Sequence, residues 1–96
     1  MSRIIWTAAS TRDLAAMQAY LEQFDSRIAQ DALERVISAT KFLLDHPFAG
    51  PAIDYRDWRK WKPKRLHYVL IYRPVRNGIE VVRVRQERND WQPVPE

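Results

Sequence analysis

The residues best suited to chemistry or binding lie in residues 58–84, which read WRKWKPKRLHYVLIYRPVRNGIEVVRV. Arginines and lysines in this segment stand beside aromatic residues and a long apolar run. Arginine among aromatic side chains suits pairing with phosphates and stacking on bases, and it equally suits a carboxylate-rich peptide. The segment therefore predicts a basic surface for a macromolecular partner, either nucleic acid or an acidic protein segment.

The positive charge lies in the second half of the chain. Residues 1–50 carry a net charge of −1 and residues 51–96 a net charge of +5, which together give the +4 of the whole chain. Such asymmetry points to an anionic partner for the second half. The alternative interpretation is that this basic surface is only solvated and binds no partner.

Few titratable groups stand where they could act as a general acid or base. His67 lies in a predicted central strand, where a lone histidine is more often a packed or edge residue. His46 precedes a proline at a predicted helix end. Lys60, Lys62 and Lys64 could act as bases only if their pKa values were strongly depressed. None of these residues is a good catalytic candidate on sequence alone.

The composition excludes several other chemistries. The chain has no cysteine, so disulfides, iron–sulfur clusters, thiolate zinc sites and cysteine nucleophiles are excluded together. Two histidines without carboxylates at ligand spacing predict no metal site. With only Gly50 and Gly78, no glycine-rich phosphate loop can be built. Glu87 and Asp90 are as readily surface carboxylates as proton acceptors, and we expect no cofactor.

A chain of 96 residues has room for one domain. We expect this domain to span residues 1–96, with residues 92–96 as a flexible tail because of its two prolines. The N-terminus reaches Arg12 and Asp13 before a signal-peptide core could form, and no apolar run approaches a bilayer span. The sequence predicts a cytoplasmic protein without a membrane anchor.

The first half predicts a short strand and two helices. Residues 3–7 are rich in β-branched and aromatic residues, which favour a strand. Apolar residues at helical spacing, after a capping box at residues 10–13, predict a helix over 11–24. A second helix is predicted from the cap at Asp25 to the Asp-His-Pro sequence at 45–47, since the residue before a proline avoids the α region. Its apolar stripe comprises Ile28, Ala32, Leu33, Val36, Ile37, Thr40, Leu43 and Leu44.

The second half predicts three antiparallel strands. Residues 53–61 read as a half-exposed strand, residues 66–73 as a central strand and residues 79–85 as the return strand. Asn77 and Gly78 predict a type I′ turn, which needs positive φ at both positions. The predicted fold is α+β with the order β-α-α-β-β-β, a helical hairpin packed on one face of a small antiparallel sheet.

Alternation along the return strand predicts which cations face solvent. Val82 lies on one face, and Arg83 and Arg85 lie on the other. We expect the helices to cover the face with Val82, so that both arginines project from the open face beside the cations of residues 56–65. The two faces comprise Glu80, Val82 and Val84, and Ile79, Val81, Arg83 and Arg85.

The motifs, taken in order, resemble those of one family. They are W-T-A-A-S-x-x-D-L-x-x-M-x-x-Y near the start, L-L-D-H-P-F-A-G after the second helix, W-R-K-W, H-Y-V-L-I-Y-R, and I-E-V-V-R-V-R-Q-E-R-N-D-W near the end. Each is degenerate, but their ordered combination covers almost all of the chain and resembles the RelE/ParE superfamily of bacterial type II toxins. The resemblance implies the β-α-α-β-β-β architecture, a cognate antitoxin, and growth inhibition when that antitoxin is lost.

The superfamily has two principal activities. RelE-like members cut messenger RNA in the ribosomal A site, where the 2′-hydroxyl attacks the adjacent phosphate, and ParE-like members inhibit DNA gyrase. Cleavage needs a proton acceptor, cations for the phosphorane and an acid for the leaving oxygen. Arg59 and Arg83 match the family's arginines, but Gln86 stands where many members carry a histidine, and glutamine does not titrate. The ParE-like activity is therefore preferred, with the RelE-like ribonuclease as the alternative.

A non-toxic nucleic-acid-binding module is a third possible function. The resemblance to the superfamily also implies three sets of site residues. A ribonuclease would use Arg59, Lys60, Lys62, Arg83 and Arg88. The gyrase or ribosome target would contact Arg59, Lys60, Trp61, Arg65 and Trp91. The antitoxin's C-terminal segment, which folds on binding, would contact Met17, Tyr20, Arg73, Arg83 and Arg85.

Overall fold

A computed structural model of the chain describes residues 2–87. The elements are β1 (Arg3–Trp6), α1 (Ala8–Glu22), α2 (Ser26–Asp45), β2 (Arg59–Trp61), β3 (Tyr68–Val75) and β4 (Gly78–Gln86). The predicted α+β class and element order are confirmed. Neither helix in this part of the chain is long and apolar enough to cross a membrane.

The four strands form one sheet in the order β1-β4-β3-β2. The pairs β2–β3 and β3–β4 are antiparallel, as predicted. β1 instead runs parallel to β4, with Arg3 opposite Gly78 and Trp6 opposite Val81. The sheet is therefore mixed rather than wholly antiparallel, because the long excursion through both helices lets β1 and β4 run in the same direction.

α1 begins three residues earlier than the sequence predicts. Its N-cap is Thr7, whose Oγ1 accepts a hydrogen bond from the Ser10 N–H (3.0 Å) and donates one to the Val82 carbonyl (2.8 Å). Ser10, predicted as the cap, is buried in the first turn of the helix, and its hydroxyl donates to the Thr7 carbonyl. Because serine and threonine both cap well, the sequence alone could not choose between them.

α2 begins at its predicted cap. The Asp25 carboxylate accepts a hydrogen bond from the Arg27 N–H (2.7 Å) and binds the Arg27 guanidinium (3.1 Å). The side-chain bond to Arg27, followed by the backbone bond, holds the pKa of Asp25 below its ordinary value. The helix ends at Asp45, two residues before Pro47, which agrees with the prediction.

The core lies between the helices and one face of the sheet. The predicted apolar stripe on α2 is only partly right, because Ile28 and Ile37 are exposed at its margins. The stripe is wider than the surface that α1 and the sheet can cover. The buried cluster comprises Met17, Ala32, Val36, Ala39, Leu43, Leu66, Tyr68, Leu70, Tyr72, Ile79, Val81 and Val84.

A β-bulge overturns the predicted facing of β4 before Val82, whereas Val84 faces the core and Arg83 and Arg85 lie on the other face, as predicted. The helices cover the face with Val81, not the face with Val82. The pairing steps from Tyr72–Val81 to Ile71–Arg83, so Val82 has no cross-strand partner. Beyond the bulge the alternation resets, and the next core residue comes three positions on rather than two.

Two further details of the second half differ from prediction. Of the predicted strand 53–61, only Arg59–Trp61 pairs as a strand, because the preceding residues form turns. The hairpin between β3 and β4 is confirmed, but its two loop residues are Arg76 and Asn77. Asn77 alone of these has a positive φ, 64°, so the turn is not type I′.

Candidate functional site

The open face is the sheet face turned away from the helices. In the strand register, Lys60 lies opposite Ile71, and Arg85 lies opposite Val69. Val69 and Ile71 are each only 3% exposed although no helix covers them. Long basic side chains bury their apolar stems against such residues while their charges reach solvent. The face comprises Lys60, Val69, Ile71, Arg73, Glu80, Arg83 and Arg85.

Arg73 is held by two carboxylates on this face. Its Nε donates to Glu80 Oε1 (2.7 Å), and its guanidinium also reaches Asp57 Oδ2 (3.3 Å). The hydrogen bond to Glu80 is the main cause that raises the pKa of Arg73 above its ordinary value. The charge of Arg73 is therefore largely compensated within the chain.

Arg83 is tied to α1 by a two-point ion pair. Its Nε and Nη2 donate to the two oxygens of Asp13 at 2.8 and 3.1 Å, and the side chains are 19% and 18% exposed. Asp13 also accepts the Val84 N–H (2.9 Å). β1 ends at Trp6, so the edge of β4 beyond it needs another acceptor, and Asp13 supplies one. The ion pair between Arg83 and Asp13 thus connects α1 to β4.

Arg59 and Trp61 alternate with Lys60 and lie on the helix side of the sheet. The Arg59 guanidinium donates to the carbonyls of Gly50 (2.7 Å) and Phe48 (3.4 Å) and lies over the Phe48 ring. The Trp61 ring stacks on Phe42 of α2, with centroids 5.1 Å apart. Two residues predicted to contact the target therefore join the loop and helix to the sheet.

The predicted gathering of the basic residues on one face is wrong in part. Lys60, Arg73 and Arg85 share the open face, whereas Arg59 lies on the helix side. The exposed cations Lys62, Lys64 and Arg65 lie on the loop that follows β2. β-strand alternation explains this separation, because successive residues of β2 must point to opposite sides.

The residues predicted to contact the antitoxin have unequal access to solvent. Met17, predicted to contact the antitoxin, is 2% exposed and belongs to the core, because α1 turns that position toward the sheet. Tyr20 is 47% exposed and makes an edge contact with the ring of Phe24. Arg88, Trp91 and the predicted tail at 92–96 lie outside the described residues.

A cavity of about 410 Å³ opens beside β2, and it brings together residues that the sequence did not join. Glu87 lies on its wall with Lys60 and Lys62, and its Oε1 is 3.3 Å from His67 Nδ1. The sequence predicts His67 as a packed or edge residue, and His67 is exposed. His67 and Glu87 meet because the antiparallel pairing of β3 with β4 continues past Gln86. The Glu87 N–H donates a hydrogen bond to the His67 carbonyl.

The comparisons with known proteins place the chain in a family. The sequence profile described as the ParE toxin of the type II toxin-antitoxin system, parDE, matches residues 4–91. The chain therefore belongs to the ParE toxin family of type II toxin–antitoxin systems. No curated protein matches the chain.

Two solved structures have a similar fold. One is from the chromosomal ParDE toxin–antitoxin system of P. aeruginosa, at 20% identity and a TM-score of 0.75, covering 90% of this chain and 96% of that one. The other is a YoeB/ParE toxin from Agrobacterium tumefaciens, at 18% identity and a TM-score of 0.62, covering 90% and 98%. At such identities the likeness shows the fold.

Proposed function

We propose that this ParE-family toxin inhibits DNA gyrase by protein contact and that a cognate antitoxin neutralises it. One observation carries the choice between the activities of the superfamily. Arg59 and Arg83, the two arginines that phosphodiester cleavage would need at the transferring phosphate, are bound by backbone carbonyls and by Asp13. Arginines whose donors are used within the chain hold its elements together and are not directed at a phosphorane.

The identity of residue 86 supports the same proposal. Gln86 occupies the position where a histidine would serve as acid or base, and its side chain donates to the Tyr68 hydroxyl (3.4 Å). A glutamine amide neither takes up nor releases a proton near neutral pH. A protein-contact mechanism needs no such group.

Expression in a bacterial host, combined with a purified supercoiling assay, tests the proposal. We expect filamentous cells, an SOS response, and blocked supercoiling of relaxed plasmid by gyrase in the presence of the purified protein. Co-expression of the cognate antitoxin should restore growth. Unimpaired supercoiling at a large molar excess of the protein contradicts gyrase inhibition.

The ribonuclease is kept as a second candidate because of the cavity beside β2. Glu87 could take a proton there, with Lys60 and Lys62 on the same wall to stabilise charge. In that case translation stops first and messenger ends map to A-site codons. The double variant His67→Gln with Glu87→Gln separates the two candidates, since it should abolish cleavage and leave gyrase inhibition unchanged.

A further inference from the structure

A groove runs along α2 beside β2, and it shares Trp61 and Lys62 with the cavity described above. We call it the α2 groove. It has a volume of about 590 Å³, and its apolar lining residues, here called the floor, are Ala39, Trp61 and Pro63. The Trp61 ring also stacks on Phe42, which extends the apolar surface beside the groove. Its full lining is Asp31, Glu34, Arg35, Ser38, Ala39, Trp61, Lys62, Pro63 and Lys64.

The two walls of the groove carry opposite charges. Asp31 and Glu34 belong to α2, whereas Lys62 and Lys64 belong to the loop after β2. Arg35 joins the walls, because it donates to Asp31 Oδ2 (2.7 Å) and to the Lys64 carbonyl (3.1 Å). Within residues 2–87, the ammonium groups of Lys62 and Lys64 have no ion-pair partner.

The loop that presents these lysines has an unusual backbone. Arg65 has a φ of 58°, in the left-handed region that a residue with a long side chain rarely adopts. Pro63 is fully buried, and its neighbours Lys62 and Lys64 are exposed on either side of it. Such conformations persist only where the surrounding structure enforces them, and they concentrate at binding sites.

The charges select the kind of partner. A nucleic acid presents a continuous row of negative phosphates, which the carboxylates of Asp31 and Glu34 would repel. A peptide can place its own carboxylates on Lys62 and Lys64, keep them away from α2, and lay an apolar side chain on the floor. Long unpaired lysines beside an apolar floor therefore fit an acidic peptide segment.

We infer that the α2 groove binds an extended peptide segment that carries carboxylates beside an apolar side chain, and that the antitoxin supplies it. This inference rests on the proposed function, which provides an antitoxin as the partner. Lys62 and Lys64 bind the carboxylates, and Trp61 receives the apolar side chain. The groove is lined by α2 and by residues 61–64, whereas Arg85 lies on the open face opposite Val69.

Calorimetry with the purified antitoxin tests the inference. The double variant Lys62→Glu with Lys64→Glu should raise the Kd for antitoxin at least about tenfold, because two attractive charges become repulsive. Both positions are exposed, so the fold should be retained. Arg12→Glu with Arg76→Glu is the matched control, since it changes the net charge equally at exposed positions outside the groove. The control should bind antitoxin within about threefold of wild type.

A steric variant tests the groove without a change of charge. Ser38 is exposed on α2 and lines the groove, so Ser38→Trp should fill it and weaken antitoxin binding by a similar factor. Wild-type affinity in both groove variants overturns the inference and leaves the proposed function standing. A wild-type chain that binds no antitoxin overturns both. Binding of a 20-nucleotide RNA that Lys62→Glu with Lys64→Glu abolishes and Glu34→Lys strengthens overturns the choice of a peptide.

Discussion

At the scale of single residues, Asp13 shows how a motif residue can have a role that its spacing does not reveal. It satisfies both the Arg83 guanidinium and the Val84 N–H at an edge of the sheet that β1 is too short to reach. One carboxylate thus fixes α1 to β4, and its removal leaves a cation and a backbone donor without this acceptor.

We predict that Asp13→Ala lowers the free energy of unfolding by about 1–3 kcal/mol, since the pair is neither fully buried nor fully exposed. Urea denaturation measures the change. Asp54→Ala removes an exposed carboxylate and should change stability by less than about 0.5 kcal/mol. A double-mutant cycle with Arg83→Ala should give a clear coupling energy, and strictly additive losses contradict the assigned contact.

Tyr72 is a second residue that connects distant segments. Its hydroxyl donates to the Pro47 carbonyl (2.8 Å) and accepts the Gly50 N–H (2.9 Å), which holds the loop after α2 against β3. Burial raises the pKa of Tyr72 above its ordinary value, and the Gly50 bond and the Arg59 charge offset part of this rise.

The raised pKa gives a prediction with a definite sign. The stability that the neutral Tyr72 hydroxyl contributes is complete below the unfolded pKa of about 10 and is lost as pH rises through the higher folded pKa. Tyr72→Phe should lose about 1–3 kcal/mol at pH 7, and its difference from wild type should shrink above pH 10. Denaturation curves from pH 7 to 11 measure this, with exposed Tyr20→Phe as the control. A difference that grows with pH contradicts the assignment.

At the scale of elements, the parallel pairing of β1 with β4 depends on close backbone approach. A Cβ on Gly78 would overlap the Arg3 carbonyl, and that neighbour is backbone rather than a flexible side chain. Glycine is therefore required here by the spacing of two strands and not by its own torsion angles, since its φ is not positive.

We predict that Gly78→Ala lowers the free energy of unfolding by about 2 kcal/mol, because β1 must move away from β4. Thermal denaturation measures the loss. The adjacent Asn77→Gly is the control, and it should stay within about 1 kcal/mol of wild type since glycine accepts the left-handed conformation of Asn77. Equal stability of wild type and Gly78→Ala would show that β1 does not pack as described.

At the scale of the whole molecule, the arginines of the sheet differ in whether a carboxylate of the chain compensates their charge. Arg73 and Arg83 are compensated by carboxylates of the chain, whereas Arg85 has no ion-pair partner within residues 2–87. Of these three arginines, Arg85 is the one whose reversal tests the open face without breaking an internal ion pair.

We predict that Arg85→Glu keeps the fold and weakens antitoxin binding about three- to tenfold, because one favourable charge becomes unfavourable. Calorimetry at two salt concentrations measures the change, which should be smaller at the higher concentration. Arg76→Glu, at the exposed tip of the hairpin, provides the same change of charge and should bind as wild type. Unchanged affinity for Arg85→Glu removes the open face from the antitoxin interface.

Patterns of local origin determined much of this protein. The α+β class, the element order, the cap at Asp25 and the β3–β4 hairpin follow from the periodicity of apolar residues and from residues with strong local preferences. The family resemblance followed from the order of the motifs and agrees with the family profile. Apart from the order of the motifs, these features depend on neighbours within a few residues in sequence, which is the range over which such patterns carry information.

Only the tertiary structure decided which cations are available. The bulge at Val82 placed Ile79 and Val81 in the core, Asp13 bound Arg83, and the alternation of β2 placed Arg59 and Trp61 on the helix side. The tertiary structure also brings together the residues of the α2 groove, which lie some thirty positions apart in the chain. Each outcome depends on contacts between residues that are far apart in sequence. Composition and local spacing do not specify which of these residues meet in the folded chain.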